Sequence, residues 1–381
     1  MPSLHDEFLL DPEVVFLNHG SQGATPRIVF DSYQRWQREL ERQPIAFGRT
    51  LGPALQIARD ALAEYLVTQA DNLVYILNAT LGMNIVAHNL NLKAGDEVLA
   101  TDHEYGAVDN TWRFLAHQKG FNYINHSMPV PFTTHAEFIE RFWQGVTPRT
   151  KVISISHITS PTALIFPIKE ICTRAREVGI ITVIDGAHAP GQIPLALDDI
   201  GADFYTGNLH KWLCAPKGSA FLFARPEMQH LLNPFIVSWA WHHNGDSKSH
   251  FVDYHQWQGT RDHSAFLASV DAIKFQKTHH WNRVRAECHA LLSETQQRIA
   301  EVTELPLLFT NDESWCAQMG TAQLPPVDLE ALRAYLVERH NIEIPLFTWN
   351  NHYIVRISIQ GYNTQSDADK LVDGIKSFLA K

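Results

Sequence analysis

What most constrains this chain is an alternation that starts near residue 72 and runs to about residue 223. Short β-rich runs occur at Asn72–Leu77, Glu97–Thr101, Asn122–Asn125, Lys151–Ser156, Ile180–Ile184, Asp203–Thr206 and Ser219–Phe223. Helix-periodic stretches separate many of them: Met83–Leu92, Ala107–Gly120, Thr134–Gly145 and Ile168–Val178. Strands joined through helices of that length lie parallel, with right-handed crossovers and helices on both faces. The expected fold class is therefore α/β: a large domain with a mainly parallel, seven-stranded type of sheet flanked by helices. Two helical stretches, Arg27–Glu41 and Leu51–Leu66, precede it, separated by Pro44 and the Gly48/Gly52 pair. From about residue 262 the pattern changes to long helices with short strands, which predicts a smaller α+β domain. The expected division is 18–262 for the large domain, with 1–17 and 263–381 forming the small one.

In an open α/β sheet, ligands sit at the carboxyl ends of the strands. The apolar run Ile180–Ile184 ends in Asp185-Gly186. Twenty-six residues beyond Asp185 comes Lys211, in the loop that follows the next strand. Taken singly, each has an ordinary reading: Asp is a turn-former and Lys a solvated charge. The lysine's neighbours, Trp212, Leu213, Cys214, Ala215 and Pro216, are apolar, and burial makes an amine nucleophilic. A carboxylate and such an amine together suit pyridoxal phosphate, which needs an amine to hold its aldehyde and an anion beside its ring nitrogen.

The order D-G-A-H at 185–188, H-K-W at 210–212 and a following Pro/Gly turn resembles the class V aminotransferase group of pyridoxal phosphate enzymes, in particular its isopenicillin N epimerase-like members. The resemblance covers nearly the whole chain and implies the fold type I architecture of those enzymes. It implies that Ala79 and Thr80, in the turn after Asn72–Leu77, hold the cofactor phosphate with Asn208 and His210. His103 would stack on the ring, with Tyr105 close by, and His188 would lie near the ring's phenolic oxygen. Ser160 or Thr162 would stand where related enzymes carry an Asn. His19 and Gly20, in the N-terminal Gly-rich bend, would line the substrate pocket. Arg356, inside the apolar run Ile354–Ser358, would take the substrate carboxylate, for which its planar fork is suited; a structural salt bridge is the alternative. Gly259-Thr260 would reach the phosphate of a partner, which implies a homodimer with shared sites.

Composition removes other classes. A net charge of −10 without a basic run argues against nucleic-acid binding. No apolar run reaches the length that spans a bilayer, and the acidic start MPSLHDEFLLDPE is unlike a signal peptide. Four cysteines (Cys172, Cys214, Cys288, Cys316) lack CxxC spacing, so a reducing, cytoplasmic location is expected. Among the 21 histidines, His242, His243, His250 and His255 cluster, but their spacing fits no standard zinc pattern and a polar lid or loop is expected instead of a metal site.

Within such a family, reactions at Cα include epimerisation, β-elimination and transamination. Epimerisation ranks first on the resemblance, with His19, Tyr105 or water as the second proton donor. A C–S β-lyase comes next, then an aminotransferase. A sulfur-carrying desulfurase is disfavoured because Asn341–Tyr353, ahead of Arg356, contains no cysteine. A non-catalytic cofactor-binding protein would have lost Lys211 or Asp185, and both are present.

Overall fold

The computed structural model describes residues 4–132, 134–241, 249–309 and 312–380. His242 and His243 lie outside the described residues. Seven strands form the main sheet: β1 (Leu73–Ile76), β2 (Glu97–Thr101), β3 (Asn122–His126), β4 (Thr150–Ser156), β5 (Ile181–Asp185), β6 (Phe204–Asn208) and β7 (Ala220–Ala224). Their order is β1-β7-β6-β5-β4-β2-β3. Every pairing from β3 to β6 is parallel, and β7 is antiparallel to both of its neighbours. The strands from β4 to β7 are buried almost throughout, as expected for a sheet covered on both faces.

Helices α1 (Arg27–Arg42), α2 (Pro44–Leu66), α3 (Ala79–Asn89), α4 (Gly106–Lys119), α5 (His135–Trp143) and α6 (Ile168–Glu177) accompany this sheet. The break expected at Gly48/Gly52 is absent: α2 runs through both glycines and Pro53. Pro44 starts it at a position where a missing N–H costs nothing. Phe47, Leu51, Leu55 and Leu62 then line one buried face, and their burial outweighs the poor helix formers between them.

The C-terminal part contains α7 (Ser269–Thr278), α8 (Trp281–Thr303), α9 (Leu329–His340) and α10 (Gln365–Leu379). With them is a three-stranded antiparallel sheet of β8 (Met319–Leu324), β9 (Leu346–Trp349) and β10 (His352–Ser358), in the order β9-β10-β8. The two-residue strand Val15–Phe16 pairs in parallel with Ile342–Glu343 and ties the N-terminal segment to this part. That pairing supports placing residues 1–17 with the small domain, as a proposal. The other boundary we propose to move to about residue 279. α7 packs on α1 and α2, and Gln276 Nε2 donates to the Trp212 carbonyl of the large sheet's Lys211 loop at 2.8 Å.

Candidate active site

Five turns meet at the carboxyl edge of the parallel strands. Asp185, Ser156, Asn208 and the segment after Thr101 each end a strand there, and α3 begins there directly after β1. Between them is a cavity of about 210 Å³. Lys211 and Asp185 both line it, with Ala79, Thr80, Tyr105, His188, Asn208 and His210.

Lys211 is held from behind. His19 Nε2 lies 3.1 Å from the Lys211 carbonyl, an acceptor, so the ring donates from that nitrogen and Nδ1 receives the Tyr362 hydroxyl at 2.9 Å. Gly23 and Gly191, both at positive φ, press their backbone against the 210–213 loop. A side chain at Gly23 would collide with the backbone of His210 and Lys211. The Gly-rich bend therefore approaches the lysine loop. His19 and Gly20 stand behind that loop and do not line the cavity. Of this bend only Ser21 reaches the cavity.

Burial, opposed by the nearby Asp185 carboxylate and reinforced by Arg356, lowers the Lys211 amine from 10.5 to about 7. His188 Nε2 lies 3.0 Å from Lys211 Nζ, and Trp212 Nε1 donates to His188 Nδ1 at 3.3 Å. Burial keeps His188 neutral by pushing its pKa well below 6.5. With Nδ1 accepting, the proton sits on Nε2 and points to the Lys211 amine, which accepts it in its neutral form. Asp185 Oδ1 accepts from the Ala187 N–H at 2.9 Å, while burial raises its pKa.

At the opposite end, α3 points its N-terminus into the cavity. Asn78 caps it, accepting from Leu81 N at 2.8 Å, and Asn208 Oδ1 accepts from Ala79 N at 2.8 Å. Among the described residues no hydrogen bond is assigned to the Thr80 N–H or hydroxyl. Unpaired donors at the positive end of a helix suit a phosphate. His210 Nδ1 lies 3.0 Å from the Ser219 carbonyl, and burial lowers its pKa to about 4.

Arg356 is 5 % exposed. Its Nη1 donates to the Ser160 carbonyl at 2.6 Å and to Ser160 Oγ at 3.1 Å, and its Nη2 donates to Ser21 Oγ at 3.0 Å. Nε has no partner, and no carboxylate pairs with the guanidinium among the described residues. The structural salt bridge is therefore not what holds it. A buried cation without a carboxylate partner, whose contacts Ser21 and Ser160 line the cavity, suits an anion.

One expected contact is corrected. His103 does not reach the cavity: it is completely buried, Nδ1 lies 2.7 Å from Thr162 Oγ1, Nε2 lies 2.9 Å from the Met128 carbonyl, and the ring packs on Trp349. The turn after β2 directs His103 inward and brings Tyr105 to the cavity wall. Thr162 faces His103, which leaves Ser160 as the hydroxyl at the cavity. Thr260 lies on an exposed bend outside this chain's own cavity. Ser21 and Ile158, from the two loops expected to face the site, line it as well, together with Asn78, Ser156 and Ala187, for which the sequence suggested no individual role. The strand-end position of Ser156, beside Asp185 in the sheet, is the one signal that could have suggested it.

The donor set fits pyridoxal phosphate: an amine near neutrality, a buried carboxylate, and free donors at a helix N-terminus. Comparison with known proteins agrees. The model of the class-V aminotransferase family matches residues 25–371. The chain belongs to that family. It is 33 % identical to an isopenicillin N epimerase from Amycolatopsis lactamdurans, over 97 % of this chain and 96 % of the relative. It is 30 % identical to a putative L-cysteine desulfhydrase from Oryza sativa subsp. japonica, over 96 % of this chain and 83 % of the relative. Among solved structures, a variant of C-DES with glycine covalently linked to its PLP cofactor superimposes with a TM-score of 0.86 at 19 % identity, covering 99 % of each chain. The fold is that of the fold type I pyridoxal phosphate enzymes, and this family member is a pyridoxal phosphate-dependent enzyme. Among the described residues no helix is long and apolar enough to cross a membrane, and no cluster of three or more His, Cys, Asp or Glu side chains could hold a metal ion.

Proposed function

We propose that the protein epimerises the α-carbon of an amino acid or an amino-acid-derived substrate. The observation that carries this reading is the joint placement of Lys211 and Tyr105. Both line one cavity, and they come from β6 and β2, on either side of the strand that ends in Asp185. Inverting a carbon centre needs one group to remove a proton and another to return one from a different direction. Of the two side chains considered for the second role, Tyr105 lines the cavity and His19 does not. The higher identity to the isopenicillin N epimerase points the same way.

Pyridoxal phosphate, when bound, supplies the electron sink that makes a Cα–H acidic. Lys211 is assigned the covalent link to the cofactor and the proton at Nζ. Asp185 is assigned the ring nitrogen, and His188 donates from Nε2 toward the ring oxygen. Ala79, Thr80, Asn208 and His210 take the phosphate; a dianion beside His210 would raise its pKa and turn it into a donor. Tyr105 takes the ring-wall position. Arg356 takes the α-carboxylate, with Ser21 and Ser160 orienting its fork. Thr260 would complete the phosphate site of a second copy in a homodimer, and the exposed apolar run Phe235, Ile236, Val237 and Trp239 supplies surface for such contact.

Release of pyruvate and ammonia, with hydrogen sulfide from cysteine or a persulfide from cystine, is the second reading, favoured by the desulfhydrase relative. Incubating the holoenzyme with amino acids in deuterated water separates the two. Deuterium at Cα of the recovered amino acid, with both configurations present, supports epimerisation. Pyruvate and ammonia with sulfide or persulfide, without racemised substrate, would replace it by β-elimination.

A further inference from the structure

His103 stands outside the cavity but is hydrogen-bonded to Thr162, in the loop that carries Ser160 to it. The hairpin β9–β10 turns through Asn350 and Asn351, at φ 44° and 65°, with Trp349 paired to His352. Two consecutive positive-φ residues make a tight, twist-matched hairpin turn. Four residues beyond His352, the same strand carries Arg356.

The tip of this hairpin is bound to the turn after β2. Trp349 Nε1 donates to the Asp102 carbonyl at 3.0 Å, and Asn350 Nδ2 donates to Asp102 Oδ2 at 2.8 Å. The Trp349 ring rests on the His103 ring, with centroids 4.4 Å apart. Asp102 is itself fixed, since Oδ1 accepts from Met128 N at 3.0 Å.

On its other side, His103 holds the loop that carries Ser160. The Met128 carbonyl can only accept, so His103 Nε2 bears the proton and Nδ1 accepts from the Thr162 hydroxyl. Thr162 in turn accepts from Thr159 at 2.8 Å, and Thr159 Oγ1 accepts from Leu164 N at 2.9 Å. This chain fixes a loop in which Ala163 sits at φ 61° and Ser160 faces Arg356. The small-domain strand that carries Arg356 and the large-domain loop that receives it are thus both referenced to one histidine.

We infer that His103 is a positioning residue: with Asp102 it clasps the Trp349–Asn350 hairpin tip and the 159–164 loop together, and so sets Arg356 to receive a substrate carboxylate. The inference rests on the proposed role of Arg356 in carboxylate binding. His103→Phe keeps a ring against Trp349 and removes both ring hydrogen bonds. Asn350→Gly keeps the positive φ and removes the bond to Asp102, away from the packed core.

In the apoprotein, hydrogen exchange read by mass spectrometry should accelerate about tenfold, the effect of one ordinary hydrogen bond. It should do so in the 346–352 hairpin for both variants and in the 159–164 loop for His103→Phe, while the start of α3 stays unchanged. In the holoenzyme, KM for an amino-acid substrate should rise about tenfold, with the cofactor's spectrum and affinity unaltered. Unchanged exchange in the hairpin of both variants would overturn the clasp. So would an altered cofactor spectrum in His103→Phe with unchanged KM, because His103 would then act on the ring. If the wild type itself fails to bind pyridoxal phosphate, the proposed function fails, while the exchange result still judges the clasp.

Discussion

The Lys211 amine should titrate near neutrality in the apoprotein, and its position can be moved in both directions. Burial, repulsion from Arg356 and attraction to Asp185 combine to bring it from 10.5 to about 7. At pH 7 about half of such amines carry a free lone pair, against roughly 0.03 % of ordinary lysines, a gain of about a thousandfold in reactive species. Competitive acetylation of cofactor-free protein over a range of pH, with the Lys211 peptide quantified by mass spectrometry, reads this midpoint directly. Asp185→Asn removes a group that stabilises the ammonium, so the midpoint should fall below 7. Arg356→Gln removes a repelling cation, so it should rise above 7. A wild-type midpoint near 10, or the same midpoint in all three proteins, would refute the electrostatic account of this lysine.

Other outcomes follow from the same geometry. Arg356→Lys cannot reproduce a planar fork held by Ser160 and Ser21, and kcat/KM should fall by at least about thirtyfold with the cofactor spectrum intact. Nitrogen NMR of labelled histidine should show His188 as the Nε2–H tautomer at neutral pH, and Trp212→Phe should mix the tautomers by freeing Nδ1. Asn78→Ala removes the cap of α3 and should cost about 1 kcal/mol in denaturant unfolding, together with weaker phosphate-dependent cofactor binding. Glu104 is buried beneath Ser156, and burial raises its pKa from 4.5 to about 8. The folded state therefore holds this proton from about pH 4.5 to 8 while the unfolded state has lost it, so stability from this group falls as pH rises through that window. Glu104→Gln should flatten that decline in apoprotein unfolding measured across it.

Much of the site was legible because strand ends are legible. Asp185 and Lys211 follow apolar runs of the parallel sheet, whose carboxyl ends share one edge; Thr80, Asn208 and His210 rest on the resemblance to the class V aminotransferases. The choice between His103 and Tyr105 was not legible. They are two residues apart in one turn, and whether a side chain faces the cavity or the packed interior depends on contacts from Met128, Thr162 and Trp349, distant in sequence. His19 shows the same limit, since its place behind the lysine is set by Tyr362, 343 residues away. The unbroken α2 was missed for a different reason: local propensity at Gly48, Gly52 and Pro53 is overridden by the apolar face that packs against the rest of the fold.

The central claim is that Lys211 carries pyridoxal phosphate. Reducing the purified holoenzyme with borohydride and digesting it should yield one peptide, the one that contains Lys211, bearing the mass of the reduced cofactor. Lys211→Ala should yield none and should lose the visible absorption band. Label on a different lysine, or full label in Lys211→Ala, would contradict the account.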